Sequence, residues 1–111
     1  MTFEFRNTDV YILSKNFYRD IKQRLTEKNA DRFITDQLKR ASLSISLNIA
    51  EGYGRFHKAD KRNFYVTARA SVYECVAGLD ILYGGDIPAD TLATADHLAK
   101  MLSGLIKVFS S

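Results

Sequence analysis

The stretch ITDQLKRASLSISLNIAEGYG, residues 34–54, decides the fold. Ile34, Leu38, Ala41, Ile45 and Ile49 recur at steps of three and four residues. At 100° per residue they fall on one helical stripe. Leu43, Leu47 and Ala50 lie on the opposite side. A helix that is apolar on two faces needs two partners, so it sits centrally in the fold or is shared with another subunit. Gly52 and Gly54 close the stretch. They are expected to end the helix, because glycine tolerates the left-handed conformation that terminates helices.

The same period extends in both directions. Upstream, Val10, Leu13, Phe17, Ile21 and Leu25 form one stripe, with Thr8 or Asp9 as the N-cap. Residues 26–30, with Asn29, form the connection, and Asp31 caps the second helix. Downstream, Phe64, Ala68, Ser71, Val72, Cys75, Leu79 and Leu82 make the core stripe of a third helix that stops at Gly84-Gly85. Pro88 then fits the first turn of a fourth. That helix carries Leu92, Ala95, Leu98, Ala99, Leu102, Leu105, Ile106 and Phe109 at near-heptad spacing. Short alternating stretches such as Phe3-Glu4-Phe5 are too isolated to build a sheet. The expected fold is all-α, an antiparallel up-down four-helix bundle with helices over about 9–27, 31–53, 59–83 and 88–109.

Composition narrows the function. The 111 residues fit one domain, and 46% hydrophobic with 26% charged residues is ordinary for a globular chain. A single cysteine excludes a disulfide framework within the chain. No apolar run reaches a membrane span, and Met1–Val10 lacks the apolar core of a secretory signal, so the expectation is a cytoplasmic protein without membrane contact. No catalytic or metal constellation stands out. His57 and His97 have no ligand-spaced partner, and Cys75 lies in a core stripe, where a thiol is usually an inert apolar group. Gly52-Tyr53-Gly54 follows a helix rather than a strand, so it is no dinucleotide or P-loop motif. The expectation is a non-enzymatic protein without cofactor or metal.

Charge is more informative. The net +3 conceals a +5 segment over residues 37–69 and a −3 segment over residues 70–111. On the third helix Lys58, Arg62, Tyr65 and Arg69 are spaced by four, three and four, with Arg55 just before them. Basic residues on one helical face track phosphates, with an affinity that is salt-dependent and largely indifferent to sequence. The expected phosphate contacts are Lys39, Arg40, Arg55, Lys58, Arg62 and Arg69, with Tyr53 and Tyr65 as stacking platforms for bases. Lys15, Arg19 and Lys22 form a smaller stripe on the first helix.

Residues 44–55, SISLNIAEGYGR, resemble the S-I-P-x-N-I-A-E-G-x-G-R signature of the small four-helix-bundle proteins encoded in intervening sequences of 23S rRNA genes. TDQLKRA at 35–41 is similar to that family's T-D-Q-L-R-R-A. Asp9-Val10-Tyr11 resembles its E-V-Y, and Met101-Leu102 with Leu105-Ile106 resembles its M-L-x-x-L-I. Phe64-Tyr65, Ala68 to Ser71 and Glu74 are similar to F-L/Y-x-x-A-x-G-S-x-x-E. Ser46 stands where the family usually has Pro, and Ala70 where it usually has Gly. A Pro would bend the helix, so no such kink is expected here.

The resemblance implies a bacterial bundle that assembles with copies of itself, as a homopentamer. It also implies kinship with the accessory variability determinant of diversity-generating retroelements, a basic pentamer that binds nucleic acid and a reverse transcriptase. The implied partners are thus further copies of the chain, RNA or DNA, and a reverse transcriptase or another protein. Leu43, Leu47 and Ala50 fit the interface between subunits. Five copies of a +3 chain carry +15, with the basic faces repeated around a ring. The competing expectation is a protein–protein scaffold whose basic face meets an acidic protein partner.

Overall fold

The computed structural model describes residues 2–110. A 3₁₀ turn at Glu4–Asn7 leads into four helices: α1 (Asp9–Glu27), α2 (Arg32–Gly54), α3 (Lys58–Tyr83) and α4 (Ala89–Val108). Their starts and stops follow from the local sequence. Asp31 accepts a hydrogen bond from the Ile34 N–H at 3.0 Å and so caps α2. Asn29, at φ +47°, turns the chain between α1 and α2. Gly84, at φ +58°, closes α3 in the left-handed conformation that its missing Cβ makes available. Thr8 occupies the N-cap of α1, but its hydroxyl donates to the Phe5 carbonyl instead of accepting from the helix.

The antiparallel order is visible in side-chain pairs. Between α2 and α3, Leu38 meets Gly78, Ser44 meets Ser71 and Gly52 meets Tyr65. One number rises as the other falls. Arg69 to Ser103 and Tyr65 to Phe109 give the same sense for α3 and α4. Each helix packs on its two sequence neighbours around the bundle, α4 returning to α1, and among the described residues the diagonal pairs do not meet. The core is the continuous set Phe17, Ile21, Leu38, Ile45, Ile49, Val72, Cys75, Leu79, Leu98 and Leu102, each almost fully buried. Burying a side chain of this kind stabilises the fold by about 1.5–3 kcal/mol.

Small residues bring α2 and α3 unusually close. A Cβ at Gly78 would stand 2.7 Å from Leu38 Cδ2, and one at Gly52 would stand 2.8 Å from the Tyr65 ring. This corrects the expected role of Gly52 and Gly54. Neither has a positive φ, α2 continues through both, and Arg55 ends it in an extended conformation. Gly52 is required by the ring beside it, not by helix termination. The core stripe of α3 follows the expected one from Ala68 through Ser71 to Leu79 and differs at its start. Tyr65, Ala68, Val72, Cys75 and Leu79 are buried, whereas Phe64 is only half-buried.

Two serine bridges fix the neighbours of α2. Ser14 donates to the Tyr11 carbonyl at 2.6 Å, so in the buried 2.8 Å bond between Ser14 and Ser46 the proton comes from Ser46. The residue found where the family usually has Pro thus ties α2 to α1, and α2 runs unbroken through it. On the other side, Asn48 donates to the Ser44 carbonyl and hydroxyl, at 2.8 and 3.0 Å. Ser71 donates to the Thr67 carbonyl at 3.1 Å, so Ser44 donates across the seam to Ser71 at 3.0 Å. No described helix is long and apolar enough to cross a membrane.

Candidate nucleic-acid interface

The turn between α2 and α3, residues 55–57, brings four basic residues to one end of the bundle: Arg55, Lys58, Lys61 and Arg62. Lys58 and Arg62 lie one turn apart on α3, so their Cβ atoms are roughly 5–6 Å apart. Among the described residues neither makes an ion pair. The N-cap of α3, His57, makes no side-chain cap bond, so the first-turn N–H groups of α3 point outward beside these cations. A helix N-terminus and adjacent cations together favour an anion.

The other cations at this end are partly engaged. Arg55 pairs with Glu51 at 3.4 Å and lies over the Phe64 ring at 4.6 Å. Half-exposed, that pair is worth little in water, and the guanidinium keeps donors to spare. Lys61 donates to the Tyr53 carbonyl at 2.7 Å and the Gly52 carbonyl at 3.3 Å, and lies over the rings of Tyr53 and Phe109. It thereby satisfies the orphan carbonyls and negative end of α2. Nothing in the order of residues singled out Lys61. The relevant signal was a lysine one turn into a helix that follows a three-residue turn, where it can reach back to the preceding helix end.

The remaining expected residues are scattered. Arg69 lies about 16 Å along α3 from Lys58 and is held by Ser103 on α4 at 2.8 Å and by Tyr73 at 2.9 Å, its guanidinium over the Tyr73 ring. Lys39 and Arg40 are exposed on α2, about 24 Å along the helix from Arg55. Tyr53 keeps 41% of its surface exposed and can offer a ring face. Tyr65 corrects the expectation of a second stacking platform. It is 3% exposed, wedged between Gly52 and Phe109 in the core, and no base can reach its face. The four-three-four face proposed for α3 is therefore a cationic edge at Lys58 and Arg62 interrupted by a core residue. Lys15 and Lys22 on α1 lie over their own helix neighbours Tyr11 and Tyr18.

Leu43 and Leu47 are exposed on α2 and Ala50 is half-buried. With Phe33, 87% exposed, they occupy the side of α2 turned away from its core stripe. Burial pushes the Cys75 thiol up to about 12, with the nearby Glu74 adding to the effect, so it is no nucleophile at neutral pH. Among the described residues no three His, Cys, Asp or Glu side chains gather as a metal site requires.

Fold and surface together define a small four-helix bundle with a cationic end and an apolar outer face on its second helix. The family model of the 23S rRNA-intervening sequence protein matches residues 6–104, and the chain belongs to that family. No curated protein and no solved structure matches it.

Proposed function

We propose that the protein is a non-enzymatic, self-assembling accessory protein that binds the phosphate backbone of RNA or DNA through the α2–α3 end of the bundle. The observation that carries this reading is the pair Lys58 and Arg62, without an ion-pair partner among the described residues, beside the uncapped N-terminus of α3 and with Arg55 adjacent. Such a site attracts phosphate oxygens without reading bases. Tyr53 stands next to it as a stacking surface. One copy presents only a few contacts, which gives weak binding, so repetition through self-assembly is part of the proposal. The outer face of α2, with Leu43, Leu47 and Ala50, supplies the contact between copies. Exposed leucines at helical spacing are costly in water and inexpensive in an interface.

The test is fluorescence anisotropy with labelled single-stranded and duplex oligonucleotides over a salt series, with light scattering for the assembly state. Replacing Lys58 and Arg62 together (Lys58→Glu, Arg62→Glu) should weaken binding to every sequence and lower the salt slope by about 2. Arg69→Glu should do less, because that side chain is already held by Ser103 and Tyr73. Unchanged binding in the double variant means that the site is misplaced. Wild-type protein that ignores oligonucleotides at about 150 mM salt yet retains a protein partner supports the scaffold reading instead.

A further inference from the structure

The seam between α3 and α4 forms an open groove on the outside of the bundle. Two hollows of about 430 and 560 Å³ lie end to end along it and share Tyr73. Small residues deepen it: Ala70 and Ala77 on α3 and Ala99 on α4. From Val66 to Asp80 it runs about 21 Å along α3. Tyr73 stands exposed between the hollows, its ring against the Arg69 guanidinium and its hydroxyl accepting from Arg69 at 2.9 Å. A groove lined by alanines between two helices has the shape that receives a third helix. The outer face of α2 has the matching length. Phe33, Arg40, Leu43 and Leu47 are exposed on one side of that helix, at steps of seven, three and four, over about 21 Å.

We propose that the α3–α4 groove receives the outer face of α2 from a second copy of this chain, with the two helices antiparallel. The inference rests on the self-assembly proposed above and names the surface that the α2 face meets. Charge sets the direction. Arg40 and Glu51 lie about 16 Å apart along α2, and Asp80 and Arg69 lie the same distance apart along α3. Antiparallel docking sets Arg40 against Asp80 and Glu51 against Arg69, with opposite charges at both ends. Parallel docking sets Arg40 against Arg69 and Glu51 against Asp80, with like charges at both ends, which is costly. Among the described residues Arg40, Arg69 and Asp80 have no ion-pair partner, and Glu51 has only the half-exposed Arg55. The antiparallel register also brings Leu43 opposite Ala77 and Leu47 onto the exposed Tyr73 ring. The two docked faces differ, so the contact is head-to-tail. Each copy offers α2 to one neighbour and its groove to another.

Sedimentation velocity on the full chain, freed of nucleic acid, reads this contact. Leu43→Glu disables the α2 face and Ala77→Glu disables the groove. Both positions are exposed, so both variants should fold, which circular dichroism checks. Each alone should be monomeric. Mixed, one supplies the groove and the other the α2 face, so they should form one-to-one dimers and nothing larger. Arg40→Glu and Asp80→Arg should each weaken assembly about tenfold, and the two changes in one chain should restore it. An Ala77→Glu variant that assembles like the wild type overturns the groove assignment and leaves self-assembly through α2 standing. Mixed variants that stay monomeric, or a double reversal no better than either single one, overturn it equally. A monomeric wild type overturns self-assembly itself, and this inference with it.

Discussion

Replacing Gly52 with alanine tests the packing of the α2–α3 seam most directly. The new Cβ would sit 2.8 Å from Tyr65 Cε1 and 3.1 Å from both Tyr65 Cδ1 and Phe64 Cβ. Carbon atoms prefer separations of about 3.5–4.0 Å, so all three contacts are repulsive. The ring is almost fully buried and packs against Phe109, which limits how far it can move aside. Overpacking of this kind costs about 1–3 kcal/mol, and the rigidity of the ring places it in the upper half of that range. Alanine gains up to ~1 kcal/mol of helix propensity, and less in the last turn of α2, where Gly52 lies. The net expectation is destabilisation by about 2 kcal/mol. For a chain of this size that lowers Tm by roughly 8 °C. Urea denaturation followed by circular dichroism, at a fixed chain concentration, measures it as a lower midpoint with an unchanged slope. Gly104→Ala is the internal control. Its Cβ meets nothing, so it should be stabilising by about 0.5–1 kcal/mol. The double variant Gly52→Ala with Tyr65→Leu should recover part of the loss, as coupled neighbours do. A neutral or stabilising Gly52→Ala, alongside a stabilising Gly104→Ala, would falsify the close-approach argument.

Two further expectations concern buried groups. The Cys75 thiol titrates near 9 in the unfolded chain and near 12 in the fold, so its contribution is complete below pH 9 and is lost as pH rises toward 12. Stability should therefore fall by about 2 kcal/mol between pH 8 and 10.5 from this group, and Cys75→Ala should flatten that part of the curve, as read from urea midpoints at each pH. Thr91 is fully buried and donates to Asp20 at 2.7 Å, while Arg24 bridges Asp20 to Asp90. Thr91→Val keeps the shape, leaves the carboxylate with one donor fewer, and should cost about 1–2 kcal/mol by the same measurement.

The periodicity made the helices legible because an apolar stripe at 3.6 residues has few other solutions. It did not resolve which aromatic of Phe64-Tyr65 enters the core. Both positions continue a stripe through Ala68 and Cys75 at steps of three and four. The choice is made by Gly52, which opens a hole on α2 opposite residue 65, and only the register between α2 and α3 reveals that pairing. The charge map was legible in the same partial way. The basic segment was countable, but which cations are free was not. Lys61 serves the carbonyls of α2, Arg69 serves α4, and among the described residues Lys58 and Arg62 have no ion-pair partner. These differences arise from contacts across helices, and adjacency in sequence carries no trace of them.

The same contacts explain what the family signature can and cannot say. Asn48 and Ser44 pass a chain of hydrogen bonds to Ser71, and Gly52 receives the Tyr65 ring. Glu51 and Arg55 pair on the surface of one helix turn. Each of these residues serves the joint between α2 and α3 or the end of α2. None gathers donors or acceptors around an empty site. A signature built from such contacts specifies how two helices lock together, and many surfaces are compatible with that lock. Membership of the family therefore transmits the bundle with confidence in its packing, while binding has to be argued from what the lock leaves exposed. In this chain that is Lys58 and Arg62 at the uncapped start of α3 and the leucines on the outer face of α2. Charge reversal tests the cationic edge, and light scattering tests the outer face of α2 on which its repetition depends.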